Sequence, residues 1–106
     1  MSGPFKVLYS GSAREDLIWL FDFLLDRAET AEDFGLAQVA IDVIQDTVQR
    51  SLSRTPFVYR KAGDSPFLRE LLIPVGGAGY VSLYEIKDAT HVVVLAVRHQ
   101  VEDDYH

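Results

Sequence analysis

The chain has 106 residues, 48% hydrophobic and 25% charged, which fits one soluble folded domain over residues 1–106 and excludes a disordered polar chain. It has no cysteine, so disulfides, thiolate catalysis and cysteine-bound metal are excluded. A formal net charge of −6 argues against a broad nucleic-acid surface, no apolar run is long enough to span a bilayer, and no secretory leader pattern opens the chain. A cytoplasmic protein without membrane or direct nucleic-acid contact is therefore expected.

Residues 5–9 alternate, with Phe5, Val7 and Tyr9 on one face, and read as a short strand that Gly11 breaks. Ser12 followed by Glu15 reads as a capping box, opening a helix over 13–28. Leu17, Leu20, Phe21, Leu24, Leu25 and Ala28 form its apolar stripe. Ile18, Trp19 and Phe23 lie partly or wholly off that stripe, so this helix has more apolar surface than one core needs. Thr30 with Glu32 and Asp33 opens a second helix over 31–52. Its stripe is Phe34, Ala37, Ile41, Ile44 and Val48. The link between the helices is very short, so they should form an antiparallel hairpin.

Residues 53–66 read as a loop, with Phe57, Val58 and Tyr59 as a brief extended piece. A strand over 67–75 follows. Pro74 cannot donate to a ladder, so this strand should be an edge or end in a bulge. Gly76-Gly77-Ala78-Gly79 is a hairpin turn, and lacks the lysine and following helix of a phosphate loop. Residues 80–86 alternate, Asp88, Ala89 and Thr90 turn the chain, and 92–97 is apolar on both parities. That last run should be a central strand buried on both sides. The fold class is α+β: an N-terminal strand, a helical hairpin, then a three-stranded antiparallel meander with the helices on one sheet face. The first strand is expected to lie parallel to the last.

Chemistry concentrates where the sheet ends, at Arg98, His99 and Tyr105. His99 is able to act as a general base or as a binding group. In the plainer alternative Arg98 pairs with Glu102 and His99 caps the sheet end. Arg69 either anchors a partner or bridges to an acid on a neighbouring strand. Trp19 and Phe23 are either a partner's docking surface, as aromatic anchors often are, or are covered by the sheet or a loop. No helical pair of histidines marks a metal site, and no cofactor is expected.

Leu68-Arg69-Glu70-Leu71, then Gly79-Tyr80-Val81 with Tyr84 and Ile86, then the run from Val92 to Gln100, in this order and spacing, resembles the RelE/ParE superfamily of bacterial type II toxin–antitoxin toxins. Ser12, Ala13, Asp16 and Leu17 entering the first helix also fit. The resemblance covers nearly the whole chain. It implies a small toxin neutralised by a cognate antitoxin whose C-terminal segment wraps around it. RelE-like members cut messenger RNA in the ribosomal A site, whereas ParE-like members inhibit DNA gyrase. The cations that RelE-like members place before and after the Gly-Tyr pair fall on Leu72, Pro74 and Val81 here. His99 and Tyr105 match the remaining basic and tyrosine positions. With its cationic half missing, the site favours the ParE-like branch, a protein inhibitor of gyrase and not a nuclease. On this reading Arg69, Arg98, His99 and Tyr105 contact the target. Trp19, Phe23 and Arg69 contact the antitoxin, which is also expected to add along the 67–75 edge. The alternatives are a ribosome-dependent messenger-RNA endoribonuclease using His99 and Tyr105, and a degenerate module that only binds its antitoxin.

Overall fold

A computed structural model describes residues 4–100. The elements in chain order are β1 (Lys6–Tyr9), α1 (Gly11–Arg27), α2 (Ala31–Arg54), β2 (Arg60–Lys61), β3 (Leu68–Val75), β4 (Ala78–Ile86) and β5 (His91–His99). They form one mixed sheet in the order β1-β5-β4-β3-β2. β1 runs parallel to β5, and every other pair is antiparallel. The two helices cover one face. Leu17 and Leu20 of α1, Ile41, Ile44, Val48 and Leu52 of α2, and Leu71, Ile73, Tyr84, Ile86, Val92, Val94 and Val97 of the sheet make a single core.

β5 holds the sheet together, and its outer edge is completed in an unusual way. β1 pairs with it for only four residues, ending at Tyr9 opposite Val94. Beyond that point the start of α1 takes over. The Ser10 N–H donates to the Val94 carbonyl at 2.9 Å, and the Ser10 hydroxyl donates to the Leu95 carbonyl at 3.4 Å. The Asp16 carboxylate accepts the Val97 N–H at 3.0 Å. Buried backbone donors must find partners, and here side chains substitute for a missing strand.

Ser10, and not Ser12, is therefore the N-cap of α1. Its side chain accepts the Ala13 N–H at 3.1 Å, its backbone is extended, and Gly11 is already helical instead of breaking the strand. The expected capping box at Ser12 and Glu15 is not formed, because the chain leaves β1 directly into the helix. At Thr30 the box does form: Thr30 accepts the Asp33 N–H, and Asp33 accepts the Thr30 N–H. α2 runs two residues past the expected 31–52. In its stripe Ala37, Ile41, Ile44 and Val48 are buried, but Phe34 is half exposed. A 24-residue helix is roughly 36 Å long at 1.5 Å per residue, and its first turn reaches past the core.

The extended piece in the loop is Arg60–Lys61, not residues 57–59; it pairs with Glu70 and Arg69. β3 is consequently an open edge over residues 71–75, where Pro74 needs no ladder partner. Gly76 has φ +57 in the turn that joins β3 to β4, a conformation glycine adopts without strain. β5 is an interior strand, between β1 and β4, but is not buried on both faces. Val92, Val94 and Val97 are buried, whereas Val93, Leu95 and Ala96 are only partly so, because helices cover one side alone. The register slips at Leu95, with Tyr84 opposite Val94 and Leu83 opposite Ala96. This bulge explains why the inward valines change spacing from two to three. The Tyr84 hydroxyl, at the core's centre, donates to the Pro56 carbonyl at 2.6 Å, and burial pushes its pKa far up.

In the β4–β5 turn Asp88 accepts the Thr90 N–H at 2.8 Å and lies 3.0 Å from His91 Nδ1. The Thr90 N–H first, then the His91 side chain, hold the Asp88 pKa down to about 2, below its ordinary 3.8. In that window the unfolded chain binds the extra proton, so stability rises with pH.

Two outcomes are expected. Asp16→Ala leaves the Val97 N–H without its acceptor and lowers stability by about 1.5–3 kcal/mol in urea unfolding, with the m-value unchanged; Asp16→Asn restores at least half. A loss below about 0.5 kcal/mol would count against the edge-completing role. The stability that Asp88 contributes is complete above its unfolded pKa and fades as pH falls from 3.8 through about 2. The wild-type chain should therefore lose stability more steeply over that range than Asp88→Asn, measured by unfolding at stepped pH.

Candidate functional site

Period-two alternation at the end of β5 separates Arg98 from His99. His99 is opposite Tyr80, and their rings meet edge-on at 5.1 Å. This places His99 with the helix-side residues. Arg98 is opposite Val81, a neighbour on the uncovered face, and is exposed. Tyr105 lies outside the described residues, as do Glu102 and the rest of the tail.

Arg98 borders two grooves. One, on the open sheet face, has a volume of about 150 Å³ and is lined by Glu70, Val81, Leu83 and Ala96 as well. The other, about 350 Å³, runs between α1 and the end of β5 and is lined by Asp16, Trp19, Leu20 and Val97 together with Arg98. The second groove joins two candidates that are 79 positions apart in sequence, Trp19 and Arg98. Asp16 connects them physically, because its bond to Val97 draws α1 onto the strand edge.

Trp19 begins a ladder along the outer side of α1. It stacks on Phe23 at 5.3 Å with the ring planes 16° apart, and the Arg27 guanidinium sits 4.3 Å from the centre of the Phe23 ring. Spacing of four residues places these side chains one above the other. Phe23 is thus partly covered by its neighbours, while Trp19 remains 53% exposed and Ile18 beside it is exposed too. Cation–π stacking gives Arg27 a defined place that its position as the last helical residue did not reveal.

Arg69 is held elsewhere. Its Nε donates to the Pro66 carbonyl and a terminal nitrogen donates to the Tyr59 carbonyl, both at 2.7 Å. Its guanidinium also lies 5.6 Å from the Phe57 ring centre. It clasps the two ends of the loop between α2 and β3. The bridge to an acid on the neighbouring strand belongs to Arg60, which meets Glu70 at 2.8 Å. Arg69 and Arg98 belong to opposite sheet faces, so they do not form one site.

The register shows where the three apolar positions fall. Leu72 is opposite Val81, and Pro74 is opposite Gly79, on the same open face as Arg98. Leu72 is 42% exposed, and Val81 is buried. The floor of the open face is therefore hydrocarbon, with Arg98 and the Arg60–Glu70 pair near it. Among the described residues no group of three histidine, aspartate or glutamate side chains is placed to hold a metal ion. No helix there is long and apolar enough to cross a membrane.

A family model for the ParE toxin of type II toxin–antitoxin systems, parDE, matches residues 7–104. The chain belongs to the ParE toxin family. A solved chain of the chromosomal ParDE toxin–antitoxin system from P. aeruginosa is similar in fold, with a TM-score of 0.69 over 92% of this chain and 98% of that one. The two sequences are 13% identical, so that likeness is one of fold alone. No curated protein matches the sequence significantly. The family assignment agrees with the resemblance carried by the β3–β5 motifs, and the ParE frame has its strand, helical hairpin and meander in the expected order.

Trp19 is the chain's one tryptophan, which makes its environment directly measurable. Its emission should be that of a solvent-exposed indole in the folded protein, readily quenched by acrylamide, and little changed by urea. A blue-shifted native emission that moves red on unfolding would place the indole in a covered position.

Proposed function

We propose that this toxin arrests its cell by binding DNA gyrase and stalling the enzyme's DNA-cleavage cycle, and that a cognate antitoxin keeps it silent. Gyrase enters through the family resemblance. The observation that carries the choice against messenger-RNA cleavage is the open face at Leu72, Pro74 and Val81. A ribonuclease acting in the ribosomal A site needs cations there to place the RNA backbone and offset charge in the transition state. An apolar floor with one bordering arginine is instead the composition of a protein-binding patch, apolar at its centre and charged at its rim.

The groove between α1 and β5 extends that patch. Trp19 and Arg98 are residue types that commonly dominate binding energy when buried against a partner. We assign Arg98 to the target surface. The Trp19–Phe23–Arg27 ladder, together with the exposed Ile18, is assigned to the antitoxin. An antitoxin segment adding as a strand along the open edge at residues 71–75 would reach the same end of the sheet. His99 and Tyr105 remain assigned to target contact. The role given to Arg69 changes: its hydrogen bonds to two loop carbonyls make it a support for the loop more than a free anchor.

The test is induction of the toxin alone in cells. Expected are filamentation and a DNA-damage response with messenger RNA intact, and loss of toxicity in Arg98→Glu with the fold preserved. Trp19→Glu should weaken antitoxin binding by about tenfold or more, the scale of an interface hot spot, without unfolding an already exposed position. Codon-positioned cuts in messenger RNA would overturn the gyrase reading, and unchanged antitoxin affinity in Trp19→Glu would overturn the ladder's assignment.

A further inference from the structure

The two ends of α2 differ in charge. Residues 26–33, where α1 gives way to α2, hold Asp26, Glu29, Glu32 and Asp33 against Arg27 alone. Residues 54–61, where α2 gives way to β2, hold Arg54, Arg60 and Lys61 and no acid. The fold accounts for part of this pattern. Asp33 is taken up by the capping box, Arg60 is paired with Glu70, and Arg27 lies over the Phe23 ring. Asp26 has no such role: it is in the last turn of α1, where the helix dipole disfavours a carboxylate. Asp26, Glu29, Glu32, Arg54 and Lys61 are exposed, and among the described residues none has an oppositely charged partner.

Apolar surface has the same two-ended form. At the acidic end an open hollow of about 250 Å³ is lined by Leu24, Ala28, Leu36, Ala37 and Ala40, together with Arg27 and Asp33. Leu36 is 58% exposed. At the basic end Val58 is 68% exposed, more than any other large apolar side chain of the described residues. The turn that carries it is ordered. The Val58 N–H donates to the Thr55 carbonyl at 3.3 Å, and the neighbouring carbonyls of Pro56 and Tyr59 are held by the Tyr84 hydroxyl and by Arg69. The Phe57 ring meets Phe5 and Phe67 edge-on. A side chain presented by an ordered turn docks with little further ordering cost.

One end is therefore an apolar knob that lies in sequence between Arg54 and Lys61. The other is an apolar hollow whose lining includes the sequence neighbours of Asp26, Glu29 and Glu32. They complement each other, but the 24 residues of α2 hold them roughly 36 Å apart within one chain. They can meet only between copies. The net charge of −6 repels copies at long range, but at 0.15 M salt repulsion beyond about 8 Å is screened, and the local contact pairs opposite signs.

We propose that copies of this chain associate head to tail, with Val58 of one copy seated in the hairpin-tip hollow of the next and Arg54 and Lys61 set against Asp26, Glu29 and Glu32. Charge fixes the direction, since tip against tip or loop against loop would oppose like charges. The contact is heterologous. A pair keeps one knob and one hollow free, so association continues with concentration instead of stopping at a closed dimer. Neither end includes Trp19 or Arg98, and the contact does not rest on the gyrase reading.

Sedimentation velocity of the purified full-length chain tests it. A contact centred on one small side chain is weak, so the weight-average sedimentation coefficient should rise over about 10 µM to 1 mM. Sodium chloride should lower the coefficient at fixed concentration, because it screens the opposite charges across the contact. Val58→Asp and Leu36→Asp, both at exposed positions, should each stay monomeric over the same range. Mixed one to one they should form a heterodimer and nothing larger, since one variant retains the hollow and the other the knob. If either substitution disturbs the fold, Lys61→Glu and Glu32→Lys give the same readout through charge: each alone weakens association, and the mixture restores one contact per pair. Trp19→Glu should associate as the parent chain does. A monomer at every concentration, a dimer of fixed size, association that strengthens with salt, or a mixture of Val58→Asp and Leu36→Asp that stays monomeric would each overturn the proposal. So would loss of association in Trp19→Glu, which would place the contact on α1.

Discussion

The outer edge of β5 is the constraint on which the fold depends. A strand in the middle of a sheet must have both rows of backbone groups satisfied, and β1 supplies only four residues of pairing. Ser10 and Asp16 complete the row. One consequence is energetic, since buried donors left unpaired would each cost on the order of 1–3 kcal/mol. The other is geometric. The same bonds fix the direction in which α1 leaves the sheet and hold its Trp19 beside Arg98, so an interaction that satisfies backbone also builds the groove between them.

From this frame the molecule divides its surface by chemistry. The hairpin is acidic, with an apolar and aromatic ladder along α1. The open sheet face is apolar at Leu72 and Val81 and has Arg98 at its border. The loop between α2 and β3 is cationic and carries half-exposed phenylalanines. The proposed division of labour places the antitoxin and the target on different parts of this surface. Arg69 touches no carboxylate among the described residues; its hydrogen bonds to the Tyr59 and Pro66 carbonyls join the two flanks of the loop between α2 and β3.

Much of this was legible in the sequence where a local rule suffices. The Thr30 cap, the buried run of Ala37, Ile41, Ile44 and Val48, and the meander follow from spacing and turn chemistry, and the parallel placement of the first strand is what the helical crossover allows. The failures lie where a distant partner decides. Ser10 and Ser12 are equally good caps in isolation, and the carbonyls of Val94 and Leu95 select Ser10. The valine run at 92–97 looks buried on both sides because residues that are only partly covered are as apolar as those in the core. The bulge at Leu95 carries no glycine to mark it. For the site, Trp19 and Arg98 were legible as individual residues, but their shared groove depends on Asp16 reaching across 81 positions. Of the three phenylalanines at the loop end of the sheet, Phe57 was visible as part of a loop rich in turn formers, and Phe5 and Phe67 as strand residues.

We propose that this ParE-family chain has a protein-binding face where a ribonuclease would carry cations. The most direct measurement sets purified full-length toxin against two reconstituted systems in parallel: gyrase with relaxed plasmid, and ribosomes programmed with messenger RNA. Expected is loss of supercoiling or accumulation of cleaved plasmid, reversed by Arg98→Glu, with the messenger RNA whole. Cleaved messenger RNA on the ribosomes beside unaffected gyrase would contradict it.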